Sequence, residues 1–440
     1  MARRLLHRTV DEYAHTWGIW YPFFLAALFL RLVLSATPAY SIDMGGYLAW
    51  SDHLAQKGPN GLYAAFHIVY APMYHYLLWL SGLVAHLFDM SRESHTWLIK
   101  LWAVAADALG AWLLIRLGRR RGRIKAGFAV GMLYLLNPAV LFDASVWGQF
   151  DGIPALLLLA VLLLFEVRRP VPAALVFLIS VLFKPQSGLL LPIVLVIFFR
   201  QLWQRNDWKR FLRDGAVTLT AGITLYLAVI LPFYTPTSRA DTLPRWLDPF
   251  WWLFDLYLRS IQDYPYDTAN AFNLWFPLGG QIRPDTVVFL GLSHNAWGLL
   301  LFGLFALWAI ARILRDGGKP DILYSSAWLL LYAAFLFMTK MHERYLVPAL
   351  LIGAACVLAD RRQLAPYLTA SSVALANQGV MYKMSFSAQY WLDPGNPFAI
   401  TCALVLAAAF AWTCRLLIVS RPASAVEPDR QKLIERRIRT

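Results

Sequence analysis

An all-α polytopic membrane fold with about 12 transmembrane helices is what this sequence predicts, and three observations predict it. First, 59% of the 440 residues are hydrophobic and only 15% are charged, with a mean hydropathy of +0.51. A soluble domain lies nearer half apolar and a quarter charged. Second, apolar runs long enough to cross a bilayer as helices recur from end to end. Third, the net charge of +14 is not spread along the chain but gathered between those runs. The short alternating segments of a transmembrane barrel are missing, as are a soluble domain, low-complexity sequence and a clear internal repeat.

Most of the Lys and Arg fall at 3–8, 116–125, 168–169, 200–213, 312–319, 361–362 and 415–439. By the positive-inside rule these segments are cytoplasmic, so an even number of spans must separate each from the next. Three apolar stretches, 18–35, 70–88 and 97–117, lie between the first two clusters, and only two can cross. The middle one carries His75, three tyrosines and a tryptophan, which suits a helix lying in the interface. The first outer loop then runs over 36–96. The remaining spans are expected at 124–143, 152–167, 170–184, 187–200, 215–233, 286–314, 320–339, 344–359, 365–381 and 397–419. The apolar run 20–34 has no small-residue cleavage site after it and reads as a retained helix. The chain is therefore expected to be one transmembrane domain, 1–440, with both termini cytoplasmic and a basic cytoplasmic tail at 420–440. Its basicity is topological, and no nucleic-acid partner is expected.

That topology puts every unusual polar cluster on the outer side. Ser41-Ile-Asp43-Met-Gly-Gly-Tyr47 follows the first span. Asp43 there suits a general base for a hydroxyl, or else a helix N-cap. In Lys184-Pro-Gln186, Lys184 lies between two apolar runs, where a cation is costly. It suits an anionic lipid phosphate, or else snorkels to the interface. Lys340-Met-His342-Glu343-Arg344-Tyr345 offers His342 and Arg344 to a phosphate with Glu343 orienting one of them, or else forms an internal ion pair. Trp147-Gly-Gln149-Phe-Asp151 and Thr268-Ala-Asn270-Ala-Phe-Asn273-Leu-Trp275 offer hydrogen-bonding groups to sugar hydroxyls. Arg31, inside the first span, is expected to pair with Asp43 or Asp151.

A further outer loop, 234–285, carries Trp246, Trp251, Trp252, Tyr257 and Trp275 with Arg239, Arg245, Arg259 and Arg283, and reads as an interfacial lid. Cys356, Cys402 and Cys414 all lie in apolar runs, so neither disulfides nor a cysteine metal site are expected. No Gly-rich phosphate loop, Asp-x-Asp pair or His-Glu-x-x-His motif occurs. A metal-bound nucleotide sugar is thus a poor candidate donor.

Taken together, Asp43 in the first outer loop, Gly-Gln-x-Asp, Lys-Pro-Gln, Asn-Ala-x-Asn-x-Trp and His-Glu-Arg-Tyr resemble the GT-C membrane glycosyltransferases. The likeness extends over roughly residues 20–360. It is strongest to prokaryotic mannosyltransferase-like proteins related to the second mannosyltransferase of GPI-anchor assembly. The resemblance implies a GT-C-like fold and inverting, metal-independent transfer of one sugar, with mannose favoured, from a polyprenyl-phosphate donor. The acceptor would be a lipid, a glycan or a protein. It also implies Asp43 as base, His342, Arg344 and Lys184 at the donor phosphate, and Gln149, Asp151, Asn270, Asn273, Trp275 and Gln186 around sugar or acceptor. Arg31, Glu343, Tyr345 and Tyr47 would support them, in a plasma membrane with the active face toward the periplasm or exterior. The competing readings from the residues themselves are a transporter, a lipid-linked glycan flippase, and a glycan polymerase or ligase.

Overall fold

The computed structural model describes residues 2–204, 207–236 and 244–419, with side chains from 18 onward. The tail 420–440, Arg239, Arg205 and the side chains of the 3–8 cluster lie outside the described residues. The described residues are mostly helical. In order the helices are α1 (Ala2–Ser35), α2 (Ser41–Lys57), α3 (Leu62–Ala65), α4 (Met73–Leu87), α5 (Arg92–Arg120), α6 (Ile124–Leu135), α7 (Pro138–Leu141), α8 (Gly152–Glu166) and α9 (Pro170–Phe183). They continue as α10 (Leu191–Trp203), α11 (Trp208–Ile230), α12 (Asp248–Gln262), α13 (His294–Arg315), α14 (Pro320–Phe337), α15 (Val347–Ala359), α16 (Leu364–Ser385) and α17 (Pro397–Val419). Four two-residue strands complete it. Strand β1 (Thr268–Ala269) pairs in parallel with β4 (Met341–His342), and β2 (Val288–Phe289) pairs antiparallel with β3 (Leu292–Ser293).

Among the described residues seven helical segments are long and apolar enough to cross a membrane: 18–35, 92–120, 185–203, 208–233, 294–315, 320–337 and 397–419. The protein is a multi-pass helical membrane protein. Each of the twelve expected spans coincides with a helix, but not all have the length or apolarity of a crossing. Helices α8, α9 and α15 have 15, 14 and 13 residues, below the roughly 17 usually needed. The expected span 286–314 begins only at His294, because the β2–β3 hairpin takes up its start and Ser293 caps α13 through its Oγ.

The expected span 124–143 is broken. Pro138 has no N–H to donate, and Asn137 caps the new helix by accepting from Ala139 and Val140. The axis bends by 47°, and α7 runs into a π-helical turn over Phe142–Trp147. The break orphans the carbonyl of Leu135, and Arg31 satisfies it with two N–H bonds of 2.9 and 2.8 Å. The same guanidinium pairs with Asp107 at 2.7 Å, whose other oxygen accepts from the Tyr134 hydroxyl at 2.8 Å. Arg31 therefore pairs with neither Asp43 nor Asp151, contrary to expectation. Asp107 on α5 faces it inside the bundle, with both side chains essentially without solvent exposure.

Helix α14 forms the centre of the bundle, buried from Leu323 to Leu336, and α15 packs beside it. Close helix approach uses small residues: a Cβ on Gly118 of α5 would sit 2.3 Å from the Cα of Gly127 on α6. The segment 36–96 folds as α2, α3 and α4, with α5 starting at Arg92. Its aromatic cluster includes Tyr74 stacked on Phe150 at 3.7 Å. In the segment 234–285, α12 is tied to the bundle by its own side chains and backbone. Tyr257 donates to the carbonyl of Val181, and Tyr226 donates to that of Pro249.

Candidate functional site

The start of α2 places Asp43 in its first turn, where Tyr40 rather than Asp43 holds the N-cap position. No cap bond forms, so the helix-cap alternative for this side chain does not hold. Instead Asp43 Oδ2 accepts from Trp147 Nε1 at 2.8 Å and from Gln149 Nε2 at 2.6 Å, with Arg344 at 3.8 Å. Oδ1 has no partner among the described residues, and the side chain keeps 16% exposure. One carboxylate oxygen is thus fixed and the other free.

The π turn makes this possible. It ends at Gly148 with φ of +90°, where a side chain would be strained. A Cβ there would also come within 2.7 Å of Met44. Gly148 and Gln149 both donate their N–H groups to the Asp143 carbonyl, which turns the chain and brings Trp147 and Gln149 onto Asp43. Tyr40 stacks on Trp147 at 4.1 Å, and Tyr47 donates to Gln149 Oε1 at 3.1 Å. Burial raises the Tyr40 hydroxyl well above its ordinary pKa, with Glu343 and Asp43 adding to the effect.

Two buried ion pairs stand beside the carboxylate. Lys184 pairs with Asp151 and lies over the rings of Phe150 and Tyr345 at 5.2 and 5.4 Å. It is 2% exposed, so the snorkelling alternative fails. Arg344 pairs with Glu343 at 2.5 Å and stacks over Trp147 at 5.7 Å, while its Nε has no partner. Burial raises the Glu343 carboxyl above its usual range, opposed by Arg344. His342 lies edge-on to Tyr264 at 4.5 Å and 3.9 Å from Glu343. Burial, with Arg344 and Lys184 adding to it, pushes its pKa down to about 3. It is a neutral imidazole near neutrality and contributes no positive charge.

The structure thus brings together Asp43, Tyr47, Gln149, Asp151, Lys184, Glu343, Arg344 and Tyr345. Asn270, Asn273 and Trp275 sit differently. Ala269 pairs with His342 through the β1–β4 strands, which carries this loop beside the site. Their side chains, however, are spent on scaffold: Asn270 donates to Tyr390 O and accepts from Gln281 and Leu392. Asn273 and Trp275 donate to the carbonyls of Met338 and Phe337. Gln186 borders a narrow cleft of about 30 Å³ with Lys184, Leu331, Tyr345 and Pro348, its Oε1 buried without a partner. That volume holds a water-sized group rather than a sugar. The sequence reading missed Trp147 as the partner of Asp43. It also missed Asp143, fully buried with neither carboxylate oxygen hydrogen-bonded. A carboxylate inside an apolar run was the available signal.

Residues 23–259 match the family model of PIG-U, described as a GPI transamidase subunit. The chain belongs to the PIG-U family. This is a family of GPI-pathway membrane proteins. The matched stretch contains Arg31, Asp43, Gln149, Asp151 and Lys184 and ends before β1, so the His342–Tyr345 part of the site lies outside it. No curated protein matches the chain.

Proposed function

We propose that this PIG-U family protein is an inverting glycosyltransferase that moves one sugar from a polyprenyl-phosphate donor to an acceptor hydroxyl. The observation that carries the reading is the asymmetry of Asp43, whose Oδ2 is held by two N–H donors while Oδ1 is unengaged. In this mechanism Oδ1 takes the proton from the acceptor hydroxyl as its oxygen attacks the anomeric carbon from the face opposite the phosphate. The sugar–phosphate bond breaks, and the phosphate monoester leaves with one more negative charge. Arg344 has an unpartnered Nε and Lys184 lies near it through Tyr345. Fixed cations are most effective at charge that develops only in the transition state. Mannose is the favoured sugar by resemblance, the reaction needs no metal, and the site faces the periplasm or cell exterior.

A second reading follows from the family description: a subunit that recognises a glycolipid without turning it over. Its support is that description itself, which names a subunit and not a transferase. Purified protein in nanodiscs, given radiolabelled polyprenyl-phosphate-mannose and its glucose and arabinose counterparts with membrane extract as acceptor, separates the two. Chelator-insensitive transfer from one donor is expected. Donor binding with no transfer or hydrolysis overturns the enzyme reading in favour of the recognition subunit.

A further inference from the structure

At the basic end of the bundle, away from Asp43, a groove of about 660 Å³ opens between α10, α11 and α13. Its floor is apolar, formed by Leu195, Val196, Phe199 and Leu314, and Trp203 and Phe211 meet edge to face across it at 6.2 Å. Arg200 stands at its rim, half-buried, with NH1 donating to the Leu314 carbonyl at 3.3 Å. The turn after α13 leaves room for it: glycines 317 and 318 have positive φ, and a Cβ at either would lie 3.8 Å from the Arg200 guanidinium. Next to the groove, the first turns of α11 form a second hollow of about 360 Å³ from Asp207, Lys209, Arg210 and Arg213. Asp207 is occupied as the α11 N-cap, accepting from the N–H groups of Lys209 and Arg210. Arg213 pairs with Asp214.

We propose that this groove binds an anionic phospholipid, with acyl chain on the α10–α13 floor and phosphate at Arg200, Lys209 and Arg210. Charge complementarity selects this occupant. The apolar floor continues a membrane-spanning helix, and Arg200 at its rim and Lys209 and Arg210 in the first turn of α11 have no carboxylate partner among the described residues. Trp203, the last residue of α10, and Trp208, the first of α11, are 78% and 69% exposed, and indoles at helix ends settle among headgroups. The volume falls in the range of small-ligand sites, and basic pockets between helices at this surface suit anionic headgroups. The inference is independent of the reaction assigned to Asp43.

Native mass spectrometry of detergent-purified full-length protein with equimolar phosphatidylglycerol and phosphatidylcholine tests it. A one-to-one phosphatidylglycerol adduct retained at least tenfold over phosphatidylcholine is expected. The Arg200→Gln, Lys209→Gln, Arg210→Gln triple variant should lose that preference, while Arg116→Gln, Arg119→Gln should keep it. Glycerol 3-phosphate should not displace the lipid, because it lacks the chain the floor holds. Equal retention of the two lipids by the unmodified protein, which needs no variant to fold, overturns the proposal. So does a preference that survives the triple substitution, or displacement by glycerol 3-phosphate.

Discussion

Replacing Asp43 by Asn separates chemistry from structure more cleanly than any other single change here. All three polar contacts of the carboxylate fall on Oδ2, so the Asn oxygen can take that position and keep both N–H donors. Its amide nitrogen then replaces Oδ1, which contacts no protein group. Two bonds to a charged acceptor become two to a neutral one, a loss of about 1–3 kcal/mol in total. The proton-accepting oxygen is gone, and general-base catalysis contributes typically about 10²–10⁴ in rate. Sugar transfer from the active donor should therefore fall at least a hundredfold, while the unfolding midpoint in detergent moves by only a few degrees. Asp43→Ala should lose as much activity and more stability, since Trp147 Nε1 and Gln149 Nε2 are left without an acceptor. Transfer within tenfold of the unmodified protein, in folded Asp43→Asn, refutes the base assignment.

Other substitutions probe the ion pairs and the titrating groups. Lys184→Met strands the unexposed Asp151 carboxylate and should destabilise by about 3–5 kcal/mol. The Lys184→Met, Asp151→Asn double variant should regain most of that in thermal unfolding, and a purely additive loss contradicts the pairing. Asp107→Asn keeps an acceptor oxygen but leaves the buried Arg31 guanidinium without its counter-charge and should cost a similar amount, with transfer per folded molecule unchanged. For His342, a pKa lowered to about 3 means the unfolded chain binds the proton more readily below 6.5. Its contribution is thus complete above pH 6.5 and shrinks as pH falls toward 3, by at most about 1.4 kcal/mol per unit. Glu343 acts in the opposite sense, its raised pKa favouring the fold at low pH. The difference between unmodified and His342→Gln stability profiles isolates the histidine, and parallel profiles would show that His342 is not held neutral.

The helical runs were legible because a bilayer demands long apolar segments, and composition alone records them. Their detailed ends were not. The break in the 124–143 run was readable at Asn137-Pro138, but the π turn after it depends on Gly148 packing against Met44 from a distant helix. The Arg31 partner was misassigned because both candidate carboxylates were sought in outer loops, whereas Asp107 lies inside the 97–117 run among alanines and leucines. The candidate site divides in the same way. Asp43, Gln149, Lys184 and Arg344 were visible as unusual polar residues clustered at the ends of apolar runs. That Trp147 joins Gln149 on Asp43 Oδ2 needs a contact across 104 residues, which no local pattern encodes. Asn270, Asn273 and Trp275 looked equally suited to sugar, yet short strands and buried carbonyls claim them.

The charge balance of the site bears on which reading of the family fits. Asp43, Glu343 and Asp151 face Arg344 and Lys184, with His342 neutral, so the resting site carries no excess of positive charge. A subunit whose task is to hold a phosphorylated glycolipid would gain affinity from uncompensated cations. An enzyme gains nothing by binding the ground state more tightly than its chemistry requires, and needs its cations ordered before charge develops. Pairing with carboxylates supplies that order. A leaving phosphate that gains a second negative charge competes better for Arg344 than the intact diester does, so the stabilisation grows along the reaction. Arg344→Lys keeps the charge but loses the fork that spans Glu343 and Asp43. It should therefore lower turnover more than donor affinity, whereas a recognition subunit would show the loss in affinity.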